Sequence, residues 1–160
     1  MDKGRYGRKD RLIREKRHDT YMDTVKRPDG AFCRTCGAVY EGGRWKWNNS
    51  PASGNDTTCP ACQRISDNYP AGVLTIAGPF SREHRNEILN MVRNIEDQEK
   101  NEHPLERIMD LVKEENTVTI RTTGIHLARR VGDALRRSYQ GDYALQYEDG
   151  DKAVRISWER

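Results

Sequence analysis

The chain has 160 residues, 34% hydrophobic and 33% charged, with four cysteines and a net charge of +3; its mean hydropathy is −1.00. That length holds one domain or two small ones, and so polar a chain cannot give every segment a core of its own. No apolar run approaches the roughly 20 residues of a membrane span, and no signal-peptide or lipidation pattern is visible, so a soluble protein of the cytoplasm is expected.

The charge is uneven. Residues 1–28 carry +5 and the remaining residues −2. The leading segment holds Arg5, Arg8, Lys9, Arg11, Arg14, Lys16 and Arg17, with few apolar residues among them. Nothing there offsets the entropy of ordering, so residues 1–28 are expected to be a disordered basic tail. Two readings stand: a solvated tail that aids solubility, and an arm that folds onto RNA.

Next come all four cysteines. Cys33-Arg34-Thr35-Cys36 and Cys59-Pro60-Ala61-Cys62 are separated by 22 residues. Each pair can make a turn that aims two sulfurs at one point, and Gly37 lets the backbone bend back. Two facing turns give the four thiolates that Zn²⁺ prefers in a structural site. The other readings are a redox pair, disulfides and an iron site. A redox motif usually stands alone, after a strand and opening a helix, and neither pair shows that context in the sequence. With all four positions filled by sulfur, one ion builds structure and performs no hydrolysis.

Between the pairs, Val39-Tyr40 and Arg44 to Trp47 read as a hairpin joined through Gly42-Gly43. Residues 48–58 read as loop. Strand parity puts Trp45 and Trp47 on one face and Lys46 on the other. Arg44, Trp45, Lys46 and Trp47 suit base stacking and cation–π contact, or the two Trp form the small core of the metal knuckle.

After the punctuation at 67–72, Val73 to Ala77 reads as a strand. Ser81 can cap a helix that buries Ile88, Leu89, Val92 and Ile95. Pro104 is read as opening a second helix, with Leu105, Ile108, Met109 and Val112 at helical spacing. Thr117 to Thr122 alternates as a strand, and residues 125–140 form a third helix. Tyr143, Leu145 and Tyr147 share a face of one strand, and Val154, Ile156 and Trp158 a face of the next. The expected fold class is α+β: a Cys₄ zinc ribbon over 29–70, then a two-layer β-α-α-β-α-β-β domain over 71–160.

On the third helix, Arg129, Arg130, Arg136 and Arg137 fall within about a third of the circumference. Ala128, Val131, Ala134, Leu135 and Ser138 lie opposite. Arg121, from the preceding strand, and His126, near the helix start, can join the arginines. The planar guanidinium fork suits phosphate. The plainer reading is a solvated face with Arg129, Asp133 and Arg137 paired at i,i+4. His18, His84 and His103 are scattered and no catalytic constellation forms, so the protein is read as no enzyme.

Several stretches resemble a known group. Cys33-x-x-Cys36-Gly37-x-Val39, Gly43-Arg44-Trp45, Cys59-Pro60-x-Cys62-x-x-Ile65, Tyr69-Pro70-Ala71-Gly72, Thr123 to Arg130 and Tyr139-Gln140-Gly141 resemble an uncharacterised bacterial family of small zinc-ribbon proteins. More distantly, the paired C-x-x-C and the following Trp resemble part of the archaeal and eukaryotic adaptor that exports large ribosomal subunits. The order of elements also resembles the C-terminal fold of bacterial translation initiation factor three, with one helix added. These likenesses imply a ribosome or structured RNA as partner and the four cysteines as zinc ligands; they imply no catalytic residue.

The expectation is therefore a ribosome-associated, rRNA-binding zinc protein. It would act non-enzymatically in translation control, by way of ribosome dormancy, assembly or quality control. It would be monomeric when free, with no small-molecule substrate and no membrane. The alternatives are a zinc-ribbon adaptor between proteins and a DNA-binding regulator, the latter lacking an evident recognition helix.

Overall fold

The computed structural model describes residues 27–48, 54–148, 150 and 152–160. The tail residues Arg5, Arg8, Lys9, Arg11, Arg14, Lys16 and Arg17 lie outside them, so the RNA contacts expected there have no structural counterpart.

The first unit is a small sheet with a helix. It contains β1 (Ala31–Cys33), β2 (Val39–Glu41), β3 (Arg44–Lys46), β4 (Asp56–Thr57) and α1 (Pro60–Asp67). The expected hairpin is β2 and β3, with Tyr40 opposite Trp45. The sheet order is β3-β2-β1-β4. Asp56 and Thr57, read as loop, pair in parallel with Phe32 and Cys33. A two-residue strand has no periodicity to detect, but this one delivers Cys59 next to Cys33.

The second unit contains β5 (Gly72–Ala77), α2 (Pro79–Glu83), α3 (Arg85–Glu102), β6 (Ile108–Lys113), β7 (Thr117–Thr122), α4 (Ile125–Tyr139), β8 (Asp142–Glu148) and β9 (Ala153–Glu159). Its sheet runs β6-β7-β5-β9-β8, with β5 and β9 parallel and the other pairs antiparallel. Alternation decides which face is buried. Leu74, Ile76, Val118, Ile120, Val154, Ile156 and Trp158 point to one side. There they meet Ile88, Leu89, Val92 and Ile95 of α3 and Leu127, Ala128, Val131 and Leu135 of α4. The result is mixed α and β, in two sheets.

Two expectations fail here. The helix expected after Pro104 is strand β6, paired antiparallel to β7 with a bulge between Ile108 and Asp110. The order is therefore β-α-α-β-β-α-β-β. Ile108, Met109, Leu111 and Val112 fit helical spacing, but five apolar-rich residues fit a strand as well, and the free edge of β7 decides the matter. Ser81 does not cap a helix from outside: it sits within α2 and its hydroxyl donates to the Gly78 carbonyl at 2.8 Å.

Candidate metal centre and basic face

The four sulfurs of Cys33, Cys36, Cys59 and Cys62 lie within 4.8 Å of one another. Cys36 Sγ and Cys59 Sγ are 3.8 Å apart, and all four cysteines are free of disulfides. A tetrahedral ion with metal–sulfur bonds of 2.3 Å requires sulfurs about 3.8 Å apart. Backbone placement follows from two local devices. Gly37 has φ +82° and turns the first knuckle, as expected. The second knuckle is the first turn of α1: Cys59 is its N-cap, and its sulfur accepts from Cys62 N–H at 3.4 Å. Cys59 N–H in turn donates to Cys33 Sγ at 3.3 Å.

That second knuckle corrects the sequence reading. Cys59-Pro60-Ala61-Cys62 does follow a strand and does open a helix, the context held to be missing. What separates it from a redox pair is the company of Cys33 and Cys36.

The charge balance favours a cation. The hydrogen bond from the Cys59 side chain, helped by the nearby Ala38 N–H and Arg107, outweighs burial and pushes the Cys36 thiol down to about 4. The same contact, with burial, pushes Cys59 well up. Four sulfurs so close cannot all ionise unaided; a bound divalent ion lets them do so. Soft thiolates in this geometry fit zinc, so the residues present suit a single structural ion, held by Cys33, Cys36, Cys59 and Cys62.

One side chain reaches the cluster from the second unit. Arg107 Nη2 donates to Cys59 Sγ at 3.2 Å and to Cys62 Sγ at 3.4 Å. Burial opposes its charge, yet the sulfurs of Cys62, Cys59 and Cys36 more than compensate and raise its pKa. Sequence reasoning missed Arg107, which stands 45 residues beyond Cys62 with no motif around it. Glu106 was missed too. Its carboxylate accepts the Leu127 N–H at 3.1 Å and so caps α4, whose N-cap residue, Gly124, offers no side chain. A Cβ at Gly124 would sit 1.8 Å from that carboxylate.

Of the hairpin residues, Arg44 and Lys46 are exposed. Trp45 is only 7% exposed and meets Tyr40 edge-on at 5.5 Å, in the core that also holds Cys33, Cys59 and Cys62. The core reading describes it, and no base can stack there. Trp47 lies just beyond β3, 36% exposed, and its Nε1 donates to the Lys100 carbonyl at 2.6 Å. It lines a groove of about 1120 Å³ with Arg44, Lys46, Glu106 and His126, so His126 faces the same groove as the hairpin.

The arginines do not form one patch. Arg121 is held by Asp110, with Nε 2.9 Å from Oδ1. Strand parity puts it on the sheet face opposite Ile120 and Thr122, away from α4, so it cannot join the helix. Arg130 is turned to α3, donating to Glu99 Oε1 at 2.6 Å and Gln98 Oε1 at 2.7 Å. Asp133 lies 3.8 Å from Arg136, not between Arg129 and Arg137. Arg136 stacks over Tyr143 at 5.0 Å. Burial raises the Tyr143 pKa, Asp133 adds to it, and Arg136 and Arg129 oppose it, which places all three helix residues beside β8. Arg129 and Arg137 are exposed with no ion pair among the described residues. Tyr147, two pleat repeats along β8 from Tyr143, is 40% exposed.

No helix among the described residues is long and apolar enough to cross a membrane. Comparison with protein-family models, curated proteins and solved structures finds no match to this chain.

Proposed function

We propose that this chain is a non-enzymatic protein of the cytoplasm that binds structured RNA, the ribosome being its partner, and that one Zn²⁺ on the four cysteines clamps it. Translation control through dormancy, assembly or quality control of the ribosome is the role that follows. The observation that carries the reading is the seam between α4 and β8. Arg129 and Arg136 stand there beside Tyr143, Arg137 is exposed on the same helix, Tyr147 is exposed further along β8, and Asp133 is the one acid paired with these arginines among the described residues. Guanidinium forks bind phosphate oxygens in pairs, and an exposed aromatic edge accepts an unstacked base. The resemblance to ribosome-linked zinc ribbons adds the choice of RNA.

The test is binding to purified ribosomes and to rRNA across a salt series. Replacing Arg129, Arg136 and Arg137 by Ala together should weaken binding at least tenfold and reduce the salt slope by about 3, one for each lost phosphate contact. Unchanged affinity in the triple variant removes the seam from the RNA interface. An adaptor between proteins has one observation in its favour: the sheet face away from the helices, with Val73, Thr75, Thr119 and Ser157, carries no described element. It predicts complexes free of RNA and indifferent to salt.

A further inference from the structure

Residues 105–107 touch three parts of the molecule at once. Leu105 packs on the core around the cysteines, and its carbonyl accepts the Thr123 hydroxyl at 2.6 Å. Glu106 caps α4 through Leu127 N–H. Arg107 bridges the sulfurs of Cys59 and Cys62, while its own backbone is clamped to Thr123: Arg107 N–H donates to Thr123 Oγ1 at 2.9 Å, and Thr123 N–H donates to the Arg107 carbonyl at 2.8 Å. Its Nε is buried without a partner among the described residues. A guanidinium desolvated to that extent is held in place by what its other nitrogens bind.

We propose that Arg107 is the counter-charge of the metal–thiolate centre, and that Leu105-Glu106-Arg107 transmits occupation of that centre to the groove wall and to the start of α4. This rests on the cysteine cluster holding a divalent ion. Four thiolates around such an ion leave a net charge of −2, and Arg107 is the one cation among the described residues that donates to these sulfurs. Outer partners of this kind fix ligand orientation and metal affinity. When the ion is lost, nothing fixes the positions of the Cys59 and Cys62 sulfurs, and the bidentate hold of Arg107 on them slackens. The tripeptide then loses one of its three anchors, and the Glu106 cap and the Thr123 clamp loosen with it. The helix that bears Arg129, Arg136 and Arg137 thereby senses metal supply.

The full chain, as R107M, R107K and wild type, is loaded with Zn²⁺ or Co²⁺. Metal affinity is read by competition with a chromogenic chelator, the sulfur-to-Co²⁺ charge-transfer band by absorption, and amide exchange residue by residue. R107M should lose about 10–100-fold in metal affinity, with R107K in between because a single ammonium cannot bridge two sulfurs. Losing two N–H···S bonds leaves the sulfurs richer in electrons, so the Co²⁺ band moves to lower energy in R107M. In wild type, stripping the metal should speed exchange at the Arg107, Thr123 and Leu127 amides; in R107M, stripping should change them little. Protection in β5 and β9 reports that each variant is folded. Equal metal affinity in R107M and wild type, or exchange at those three amides that ignores the metal, overturns the proposal. Wild type that takes up neither ion overturns the metal reading beneath it, a result distinct from either.

Discussion

The two units of this molecule are held together by different means. The second has a continuous core of fifteen buried residues drawn from β5, β7, β9, α3 and α4. The first has eight, three of which are cysteines and three alanines, beneath strands no longer than three residues. Burying a large aliphatic side chain contributes about 1.5–3 kcal/mol. The second unit has many such residues; in the cluster of the first, Tyr40 and Trp45 alone are of comparable size among the described residues. A unit so small needs a staple, and the cysteine cluster supplies its place. The difference teaches that composition alone misjudges the chain: the two units have nearly the same share of hydrophobic residues, but in the first more than half of them are alanines and cysteines, which bury little area.

The largest expected effect tests that contrast directly. Structural zinc contributes about 10–16 kcal/mol in small zinc units. Chelation, or Cys59→Ser, should therefore abolish amide protection in β1, β2, β3 and α1 while β5, β7 and β9 stay protected. Hydrogen exchange followed by mass spectrometry reads both regions in one sample. Simultaneous loss of protection throughout would show that the second unit depends on the metal as well.

The complementary cut is Trp158→Ala. Trp158 is 1% exposed, packs near Tyr139 and donates from Nε1 to the Gln140 carbonyl at 2.5 Å. Truncating a buried Trp costs about 3–5 kcal/mol. The midpoint of denaturant unfolding monitored in β5 and β9 should fall accordingly, with metal content unchanged under native conditions. Metal lost in step with that midpoint would mean that the two units unfold as one.

What the sequence revealed follows the same division. The metal cluster was legible because ligation demands residue types at fixed spacing, and the two C-x-x-C pairs state them outright. Alternation in 117–122, 142–148 and 153–159, and the stripe through Ile125–Tyr139, were legible because each buries one face against a large core. The strand over Ile108–Lys113 was not, since at a sheet edge its apolar residues are only half buried and their spacing suits a helix too. Trp45 and Trp47 looked equivalent by parity, yet β3 ends at Lys46 and Trp47 follows its own hydrogen bond to Lys100. The arginines of α4 were correctly set opposite its packed stripe, but which of them would meet an acid depended on α3 and β8, whose positions no helical wheel contains. Arg107 and Glu106 left no trace at all, because their meaning lies in contacts 16 to 48 residues away.

The smallest effect concerns the joint between the units. Burial, opposed by the Leu127 N–H and by His126, holds the Glu106 carboxyl above its ordinary value of 4.5. A carboxyl that binds its proton more readily in the folded chain contributes stability that is fully present below pH 4.5 and is lost as the pH rises through the raised value. Glu106→Gln removes the titration and keeps a carbonyl oxygen to accept the Leu127 N–H. It gives up the favourable placing of a negative charge at the start of α4, worth about 0.3–1 kcal/mol, and gives up the desolvation of a buried carboxylate as well. Because the pKa is raised, desolvation is the larger of the two, and the variant should be as stable as wild type at pH 7 or slightly more so. Between pH 4.5 and neutrality the wild-type protein should lose stability relative to the variant, a slope that a series of denaturant titrations can read. If the slopes coincide, Glu106 lies in water at the groove mouth, and its cap on α4 is too weak to link the arginine helix to the cysteines.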